Sequence, residues 1–304
     1  MLTQYNVLIF GAGQIAAGYD TPDSALILTH AHAINEHRSL KLLGFYDVDA
    51  DKAEQAVQRW GGQFYKEPVP ADIISICTPD KYHLESIYKA AELHPKLIIL
   101  EKPIARSLED ARRIIETAGG IPVQVNFTRR FVCEFQNLAA SVFEYGAFLS
   151  GSGLYGKGFI HNGSHMIDLL RLLLGEITAI ETLLEICDFY DDDATKTVKI
   201  NFERGGEFFM KGIDCRFYTI FELDLCFEKA RIRILDSGER IQIYHVRPSQ
   251  HYEGYKNLVL ENEYTTELNY AMRNLYQNVF EYLTLGTKLI LPLEKAFTEG
   301  LYTQ

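Results

Sequence analysis

The chain has 304 residues, and 30 Lys and Arg against 41 Asp and Glu give it a net charge of −11. Hydrophobic residues make up 47% and charged residues 23%, as in an ordinary globular protein of one large or two medium domains. The acidic balance and the lack of a basic run argue against binding to a nucleic-acid backbone. No apolar run approaches the roughly 18 residues that would cross a bilayer.

The N-terminus and the cysteines favour a cytoplasmic protein. The first residues, MLTQYNVLIFGAG, have no positively charged region and no long apolar stretch, so we predict no signal peptide. The five cysteines are scattered and form no CxxC pair. Reduced thiols in the cytoplasm are the simplest interpretation.

The first third of the chain alternates strand-like and helix-like segments. Short runs rich in Val, Ile and Leu occupy 5–10, 40–47, 72–78, 96–101 and 121–127. Helical patterns lie at 49–61, 81–93 and 107–120, the last with Ser107 as a predicted N-cap. Nearly continuous apolar strands separated by helices indicate a parallel sheet covered on both faces. We therefore predict an α/β fold that begins with a Rossmann dinucleotide-binding domain over residues 1–125.

The pattern changes after about residue 126. A helix is predicted at 131–145, and another for the segment SHMIDLLRLLLG. Strands then follow without intervening helices at 177–187, 195–202, 206–213, 217–227, 229–235 and 240–246, and a helix at 266–286 comes last. Several of these strands alternate polar and apolar residues, which is typical of an antiparallel sheet with one solvated face. We predict a C-terminal α+β domain over 126–304, with an open, mostly antiparallel sheet.

The segment VLIFGAGQIAAG carries a dinucleotide-binding pattern, G-x-G-x-x-A. Gly11 permits a tight turn, Gly13 lets a pyrophosphate approach the backbone, and Ala16 allows close packing of a helix on the strand. Gln14 and Ile15, between these positions, are further candidates for cofactor contact. The motif alone is weak, because many strand-to-helix turns use glycine.

Asp47 ends the second strand, where a carboxylate would bond the ribose hydroxyls of adenosine. It would repel a 2′-phosphate, and no arginine follows it, which favours NAD over NADP. Alternatively, Asp47 only begins a helix. Gly11 and Asp47 are 47 − 11 = 36 residues apart, against about 20 in the usual motif. The excess, residues 19–32, either covers a ligand or is plain surface.

Two further strands end in polar residues at the edge where a doubly wound sheet binds ligands. The candidates for cofactor contact are Thr78 and Pro79 in ICTPD, His83 in the following helix, and Glu101 and Lys102 in LEKP. Lys102 is aimed at the ligand edge, since it follows a buried strand.

The segment HNGSH places His161 and His165 four residues apart, before an apolar run. Three functions are open: metal binding, proton transfer, or a plain capping segment. Asn162 is a plausible N-cap, which would leave His161 outside the helix and defeat a shared metal site; no HExxH motif or cysteine cluster adds ligands. We therefore predict no metal and favour proton transfer. Asp168, one turn beyond His165, either orients it or simply begins the helix.

The chain resembles the glucose–fructose oxidoreductase/inositol dehydrogenase (Gfo/Idh/MocA) family, through GAGQIA, FYDVDADKAEQ, ADIISICTPDKYH, LEKPIA, VNFTRRF and HNGSHMIDLLRLLLGE in this order. The resemblance covers essentially the whole chain. It implies a Rossmann domain with an open-sheet domain, and NAD(P)-dependent oxidation or reduction of sugars, inositols or nucleotide sugars. Lys102 matches the family's EKP lysine and His165 its acid/base histidine. His161 stands where the family often has aspartate, which leaves the usual Lys–Asp–His relay in question.

A histidine suits this chemistry because its ordinary pKa lies near 6.5. A position in the first turn of a helix would favour a neutral, proton-accepting His165, while Lys102 polarises the oxygen. His161 and Asn162 are further catalytic candidates. Arg129 and Arg130 follow the last Rossmann strand, and we expect them either to hold substrate oxygens or a phosphate, or to form salt bridges at a domain interface.

The leading hypothesis is thus an NAD-dependent oxidoreductase of a small sugar or nucleotide sugar. The alternatives are a non-catalytic dinucleotide-sensing regulator on the same fold, or a reductase with another substrate, such as a linear tetrapyrrole. An exposed face of the antiparallel sheet would suit a homodimer or homotetramer.

Overall fold

The computed structural model of the protein describes residues 4–298 and residue 302, and its contacts divide the chain into two compact units. The first unit combines Met1–Phe131 with Asn269–Tyr302, and the continuous part of the second is Val132–Leu268. The predicted domains differ from these units, since they placed every residue after 125 in the second domain.

The C-terminal segment joins the first unit because its apolar side chains complete that unit's core. Leu291, Leu293 and Ala296 are buried in the same cluster as the strands of the first sheet. The phenol of Tyr5 donates to Leu283 O at 3.2 Å, and Val125 N donates to Leu291 O at 3.0 Å. Periodic patterns within a short segment do not reveal that a distant C-terminal segment packs on the first unit.

The first unit is built on a parallel sheet in the order β3-β2-β1-β4-β5-β6. Its strands are β1 (Tyr5–Phe10), β2 (Leu40–Tyr46), β3 (Gln63–Tyr65), β4 (Ile73–Ile76), β5 (Leu97–Glu101) and β6 (Val123–Asn126). Every residue of β4, β5 and β6 is buried, which explains why Ile, Leu and Val predominate in these strands. The strand order reverses between β1 and β4, and ligands of such sheets bind beyond the carboxyl ends of the strands at this point.

The helices connect these strands and cover the sheets. In chain order they are α1 (His30–Glu36), α2 (Ala50–Trp60), α3 (His83–Glu92), α4 (Leu108–Ala118), α5 (Cys133–Ser141), α6 (Ser164–Leu174), α7 (Ala271–Leu285) and α8 (Leu293–Ala296). The predicted N-cap of α4 is confirmed, because Ser107 Oγ accepts from Asp110 N at 3.0 Å. Among the described residues, none of the helices is long and apolar enough to cross a membrane.

The second unit is built on a sheet in the order β14-β13-β12-β11-β7-β10-β9-β8. Its strands are β7 (Phe148–Tyr155), β8 (Ile177–Tyr190), β9 (Asp193–Phe202), β10 (Glu207–Gly212), β11 (Phe221–Phe227), β12 (Ala230–Leu235), β13 (Arg240–Pro248) and β14 (Lys256–Thr265). Neighbours are antiparallel except β7 and β10. A Cβ on Gly153 of β7 would meet Met166 of α6 at 2.7 Å, so α6 packs closely over this sheet.

The predicted fold class, a Rossmann sheet followed by a mostly antiparallel α+β part, is confirmed. Two strands of the second sheet were not predicted. β7, FLSGSGLY, is rich in Gly and Ser, and β14 lies at the sheet edge with almost every residue exposed. Neither has the half-buried alternation on which the prediction relied.

Candidate active site

The glycines of the GAGQIAAG segment turn the chain away from the end of β1. Gly11 has a φ of +89°, and its N–H donates to Tyr46 O at 2.8 Å. A Cβ on Gly11 would meet the backbone of Cys77 and Thr78 at 3.0 Å, so glycine is required there. A Cβ on Gly13 would meet nothing within 4 Å. This exposed stretch of backbone is open to an approaching pyrophosphate.

The turn after Gly13 is shorter than the helix that the glycine pattern predicts. Gln14–Gly18 form a five-residue helical turn of the wide π type, and the next helix begins only at His30. The chain therefore offers turn amides to a phosphate, and not the start of a full helix. Gln14 is exposed on this turn and Ile15 is half-buried.

The end of this turn is fixed by α2. Trp60 Nε1 and Arg59 Nη1 both donate to Ala17 O, at 2.8 and 3.0 Å. Two side-chain donors on one carbonyl satisfy a group that the short turn would otherwise leave without a backbone partner. The glycine turn is thus held from a second element.

Asp47 lies directly beyond β2 and faces the glycine turn. Its Oδ2 accepts from Ala12 N at 2.7 Å, and its Oδ1 accepts from Asp49 N at 2.9 Å. The carboxylate is half-buried, and its further lone pairs are available to ribose hydroxyls. Asp49, and not Asp47, caps α2 by accepting from Lys52 N at 3.2 Å. This separates Asp47 from the helix-start role considered above.

His83 connects the two loops that follow β4 and β5. Its Nε2 lies 3.0 Å from Thr78 O and its Nδ1 lies 3.1 Å from Ile104 O. Burial lowers the pKa of His83, outweighing the bonds to Ile104 and Thr78 that favour the charged form. Its imidazole braces the loops that carry Thr78, half-buried, and Pro79, exposed. Direct contact of His83 with a nucleotide stays a prediction.

Glu101, the last residue of β5, is buried within a polar network. Its Oε1 accepts from Asn126 Nδ2 at 2.6 Å and lies 2.9 Å from His30 Nε2. Burial raises the pKa of Glu101, but the bonds from His30 and Asn126 outweigh it and hold that pKa below its usual value. An ionised carboxylate only accepts, so His30 Nε2 carries a hydrogen.

The network continues from His30 to the C-terminal helix. His30 Nδ1 lies 2.8 Å from Tyr276 Oη, and Tyr276 Oη lies 2.8 Å from Ser75 Oγ. Burial raises the pKa of Tyr276 well above its usual value, so it remains a neutral phenol. Only the unusual length of the first crossover points to His30 in the sequence, and no pattern marks Tyr276 or Ser75.

That crossover is a fixed loop within the first unit. Asp20 Oδ2 accepts from Leu28 N at 2.6 Å and lies 2.8 Å from His32 Nδ1, while Thr29 Oγ1 donates to Asp20 Oδ1 at 2.6 Å. Asp20, Thr29 and His32 are all buried. The segment therefore has its own polar core, which places His30 at the start of α1 facing Glu101.

The predicted cations follow neighbouring strands of the same sheet. Lys102 comes directly after β5 and is half-buried. Arg129 and Arg130 lie in the turn Thr128–Phe131 after β6, where Arg130 is 4% exposed. Because parallel strands end at one edge, this topology brings all three to the edge that also carries the glycine turn.

The helical structure that contains His161 and His165 begins about one turn earlier in the chain than predicted. Phe159–Gly163 form a π-type turn that runs directly into α6. Asn162 does not cap the helix, because its side chain donates to Gly156 O at 2.7 Å. His165 is therefore not at the start of the helical segment, and the helix-dipole argument for a neutral His165 loses its premise.

The remaining candidates lie on α6. His165 is half-buried, and Asp168, three residues later, is 4% exposed. Because the helical structure begins at Phe159, His161 lies inside a helical turn. The prediction of no shared metal site assumed that His161 lay outside the helix, so that reason no longer holds. Within residues 4–298 and 302, no three His, Cys, Asp or Glu side chains form a group that could hold a metal ion.

His161 has a carboxylate partner that the sequence did not reveal. Its Nδ1 lies 2.7 Å from Asp193 Oδ2, and its ring stacks on Tyr190 with centroids 3.9 Å apart. Asp193 Oδ1 also accepts from Ile160 N at 2.9 Å. Tyr190 and Asp193 face each other across the turn between β8 and β9. The hairpin thus provides both the stacking ring and the carboxylate.

The first unit has a Rossmann fold with a glycine turn after β1, and comparison with known proteins shows what the chain is similar to. Residues 5–127 match the oxidoreductase family with an NAD-binding Rossmann fold, GFO_IDH_MocA. The first unit is therefore similar to the Rossmann part of these oxidoreductases. The match covers the β1–β6 sheet and the loops that carry Gly11, Asp47, Thr78 and Lys102.

Two curated relatives are dehydrogenases. The chain is 24% identical over 274 residues to D-glucoside 3-dehydrogenase of Escherichia coli, covering 74% of this chain and 75% of that protein. It is 30% identical over 122 residues to glucose-6-phosphate 3-dehydrogenase of Bacillus subtilis, covering 39% of this chain and 31% of that protein.

The fold is also similar to that of a putative NADPH-dependent oxidoreductase from Desulfitobacterium hafniense. The two structures have a TM-score of 0.80 at 17% sequence identity, over 99% of this chain and 93% of the other. At this level of identity the likeness concerns the fold.

Proposed function

We propose that this protein is an NAD-dependent oxidoreductase that moves a hydride between nicotinamide and a hydroxyl or keto carbon of a sugar or nucleotide sugar. The observation that carries the proposal is the open glycine turn beside Asp47, at the strand-order reversal of the sheet. The names of the two curated relatives, both sugar 3-dehydrogenases, support a sugar as the substrate.

The residues of the first unit fit a dinucleotide. Gly13 leaves its backbone open to phosphate, while Gly11 has no room for a side chain. The Asp47 carboxylate, already bonded to Ala12 N, would accept from ribose hydroxyls. A 2′-phosphate would meet this negative charge, which supports NAD over NADP. Bound NAD would supply the hydride acceptor at the edge where Lys102 lies.

Lys102 and His165 are proposed to handle the proton of the substrate oxygen. A lysine can stabilise negative charge on that oxygen or donate to it, and an imidazole can accept a proton near neutral pH. Arg129, Arg130 and Asp168 are proposed to position substrate. In this proposal residues 1–125 bind the cofactor and 126–304 bind the substrate, with the C-terminal helices packed on the cofactor unit.

The first experiment is thermal unfolding of the purified protein with NAD, NADH, NADP or NADPH. A ligand that binds the native state alone stabilises it by about 2.7 kcal/mol at a hundred times its dissociation constant. We expect a larger shift with NAD(H) than with NADP(H). No shift with any dinucleotide would refute the proposal.

Turnover is then measured by absorbance of the reduced nicotinamide. The substrates are D-glucosides, glucose 6-phosphate and nucleotide sugars, tested with the parent protein, Lys102→Ala and His165→Ala. We expect each substitution to lower kcat by roughly 10²-fold or more with nucleotide binding retained. Binding without turnover on any substrate would favour the dinucleotide-sensing regulator.

The proposal also includes a homo-oligomer and a cytoplasmic location. β8 carries exposed apolar side chains on the sheet of the second unit, such as Leu184, which is 67% exposed. Light scattering of the eluting protein tests the oligomer, with a monomer mass refuting it. Cell fractionation tests the location.

A further inference from the structure

Glu101 is a buried carboxylate whose two oxygens have different surroundings. Oε1 lies 2.9 Å from His30 Nε2 and accepts from Asn126 Nδ2 at 2.6 Å. In the part of the chain that the structure describes, Oε2 has no hydrogen-bond partner, yet it is not one of the buried atoms that lack a partner, as Asn126 Oδ1 is. Oε2 therefore contributes to the 8% of the Glu101 side chain that is exposed. Because Glu101 ends β5, this oxygen lies at the edge of the sheet where ligands bind.

Glu101 and Asp47 lie on opposite sides of the strand-order reversal. Asp47 follows β2 and Glu101 ends β5, while the reversal falls between β1 and β4. A dinucleotide bound across such a reversal has one half on each side. With Asp47 at the adenosine ribose, as proposed, Glu101 lies on the side of the nicotinamide riboside. The hydrogen-bond donors of that half are hydroxyl and amide groups, which an ionised carboxylate accepts.

The hydrogen bonds behind Glu101 all run in one direction. An ionised carboxylate only accepts, so His30 Nε2 donates to it. With His30 neutral, Nδ1 accepts from the Tyr276 hydroxyl at 2.8 Å. The Tyr276 oxygen then accepts from the Ser75 hydroxyl at 2.8 Å. Each donor in such a chain is strengthened by the one behind it, so the three side chains together hold the negative charge on Glu101.

The other charged and titratable groups around Glu101 do not replace His30. Those that interact electrostatically with it are Cys77, His83, Lys102 and Tyr276. Burial raises the pKa of Cys77 and Tyr276 and lowers that of His83, so these three are neutral at pH 7. Burial also has the largest influence on Glu101 and raises its pKa, but the bonds from His30 and Asn126 and the charge of Lys102 outweigh it. Among these, His30 has the largest effect, so its removal leaves burial opposed only by weaker influences.

We propose that His30 is a positioning residue, which keeps Glu101 ionised and oriented so that Oε2 accepts a hydrogen bond from the bound dinucleotide. This inference rests on the proposed function, which supplies the cofactor, and on the predicted contact of Glu101 with it. Because His30 and Asn126 already fix the carboxylate through Oε1, little further ordering of Glu101 is needed when a donor binds at Oε2.

His32 provides a matched control on the same helix, α1. It is 3% exposed, and its Nδ1 lies 2.8 Å from Asp20 Oδ2. His32→Ala therefore breaks a buried pair of histidine and carboxylate, as His30→Ala does, without removing a bond to Glu101. His30→Gln is the conservative variant, because a glutamine amide can still donate to the carboxylate.

The first test needs no cofactor. ¹³C spectra of the full-length protein labelled at the glutamate carboxyl carbons report the ionisation of each side chain, and Glu101→Gln assigns the Glu101 signal. We expect Glu101 to take up its proton below pH 4.5 in the parent and in His32→Ala, and at higher pH in His30→Ala. A neutral Glu101 in the parent at pH 7, or the same titration in the parent and His30→Ala, would overturn the role of His30.

The second test measures the Kd for NAD by calorimetry between pH 5.5 and 8. Glu101→Gln should raise this Kd by roughly tenfold or more at every pH, because the amide turns an N–H₂ group toward the donors of the ligand. His30→Ala should bind NAD more weakly as pH falls, since a protonated Glu101 is a poorer acceptor. The Kd of the parent, of His30→Gln and of His32→Ala should stay independent of pH over this range.

The outcomes separate this inference from the proposed function. A Kd for NAD that is unchanged in Glu101→Gln would overturn the contact at Oε2 and leave the proposed function standing. A Kd that is independent of pH in His30→Ala would overturn the role of His30 alone. A parent that binds no dinucleotide would overturn both the inference and the proposed function.

Discussion

Replacing His30 with alanine would break the buried network at Glu101, and its cost follows from the contacts. His30 is 0% exposed and lies 2.9 Å from the Glu101 carboxylate and 2.8 Å from the Tyr276 hydroxyl. A hydrogen bond to a charged group contributes about 1.5–3 kcal/mol and a neutral one about 1 kcal/mol. With the cavity left behind, we expect a loss of about 3–5 kcal/mol, the range for breaking a buried pair.

The pKa of Glu101 predicts how the stability loss of His30→Ala changes with pH. The pKa of Glu101 is lowered from 4.5 in the folded protein. Its ionisation therefore adds stability that is fully present above pH 4.5 and is lost as pH falls through the lower folded value. Without His30, burial is the largest remaining influence and raises this pKa. The free-energy difference between the parent and His30→Ala should therefore shrink as pH falls from 7 toward 4.5.

Urea unfolding followed by tryptophan fluorescence measures the loss in the relevant unit. The chain has one tryptophan, Trp60, which is 5% exposed at the end of α2 in the first unit. Tyr276→Phe is the control, since it removes the two neutral bonds to His30 and Ser75, keeps the ring and should cost about 2 kcal/mol. A loss below about 1 kcal/mol for His30→Ala, or a difference independent of pH, would refute the reasoning.

Three further predictions concern the glycine turn, the Asp47 carboxylate that is proposed to bind ribose, and Asp188 in the β8–β9 hairpin. Gly11→Ala should destabilise the protein by about 1–3 kcal/mol, because residue 11 has a positive φ and a Cβ there would meet backbone atoms at 3.0 Å. Gly13→Ala should change stability by less than about 0.5 kcal/mol but weaken NAD binding, which calorimetry measures. Asp47→Ala should reduce the preference for NAD over NADP about tenfold or more, while Asp49→Asn, in the helix cap, should not; equal preferences in both variants would contradict the assignment. Although burial opposes it, hydrogen bonding lowers the pKa of Asp188 from 3.8 to about 2, so Asp188→Asn should cost about 2 kcal/mol in urea unfolding at pH 7, and this difference should disappear as pH falls through about 2.

The parallel sheet could be predicted because its information is local. Segments such as IISI in β4 and LIILE in β5 are mostly Ile and Leu, and a helical pattern follows each of them along the chain. The residues at the strand ends, including Gly11, Asp47 and Lys102, then follow from topology alone. For these residues, the resemblance to the family and the chemistry of the side chains predict the same site.

The side-chain partners could not be predicted, because they join distant parts of the chain. His30 and Glu101 are 71 residues apart, and His30 and Tyr276 are 246 apart. No local pattern marks such pairs, and each residue alone has a plain explanation on the surface or in a helix cap. The start of α6 was misplaced for a related reason, since the Asn162 amide bonds Gly156 O and does not cap the helix.

The departure at residue 161 shows how such a pairing changes the interpretation of a motif. When the chain is compared residue by residue with the pattern of the family that it resembles, a carboxylate is missing at 161, which would weaken the case for proton transfer. In the structure a carboxylate is present beside this position, supplied by Asp193, 32 residues further along. An aspartate at 161 would bring a like charge next to Asp193, which is unfavourable, whereas histidine is stabilised there by the same carboxylate. In this chain the carboxylate at this place is therefore provided by Asp193 of the β8–β9 hairpin, and the ring of His161 is its hydrogen-bond donor.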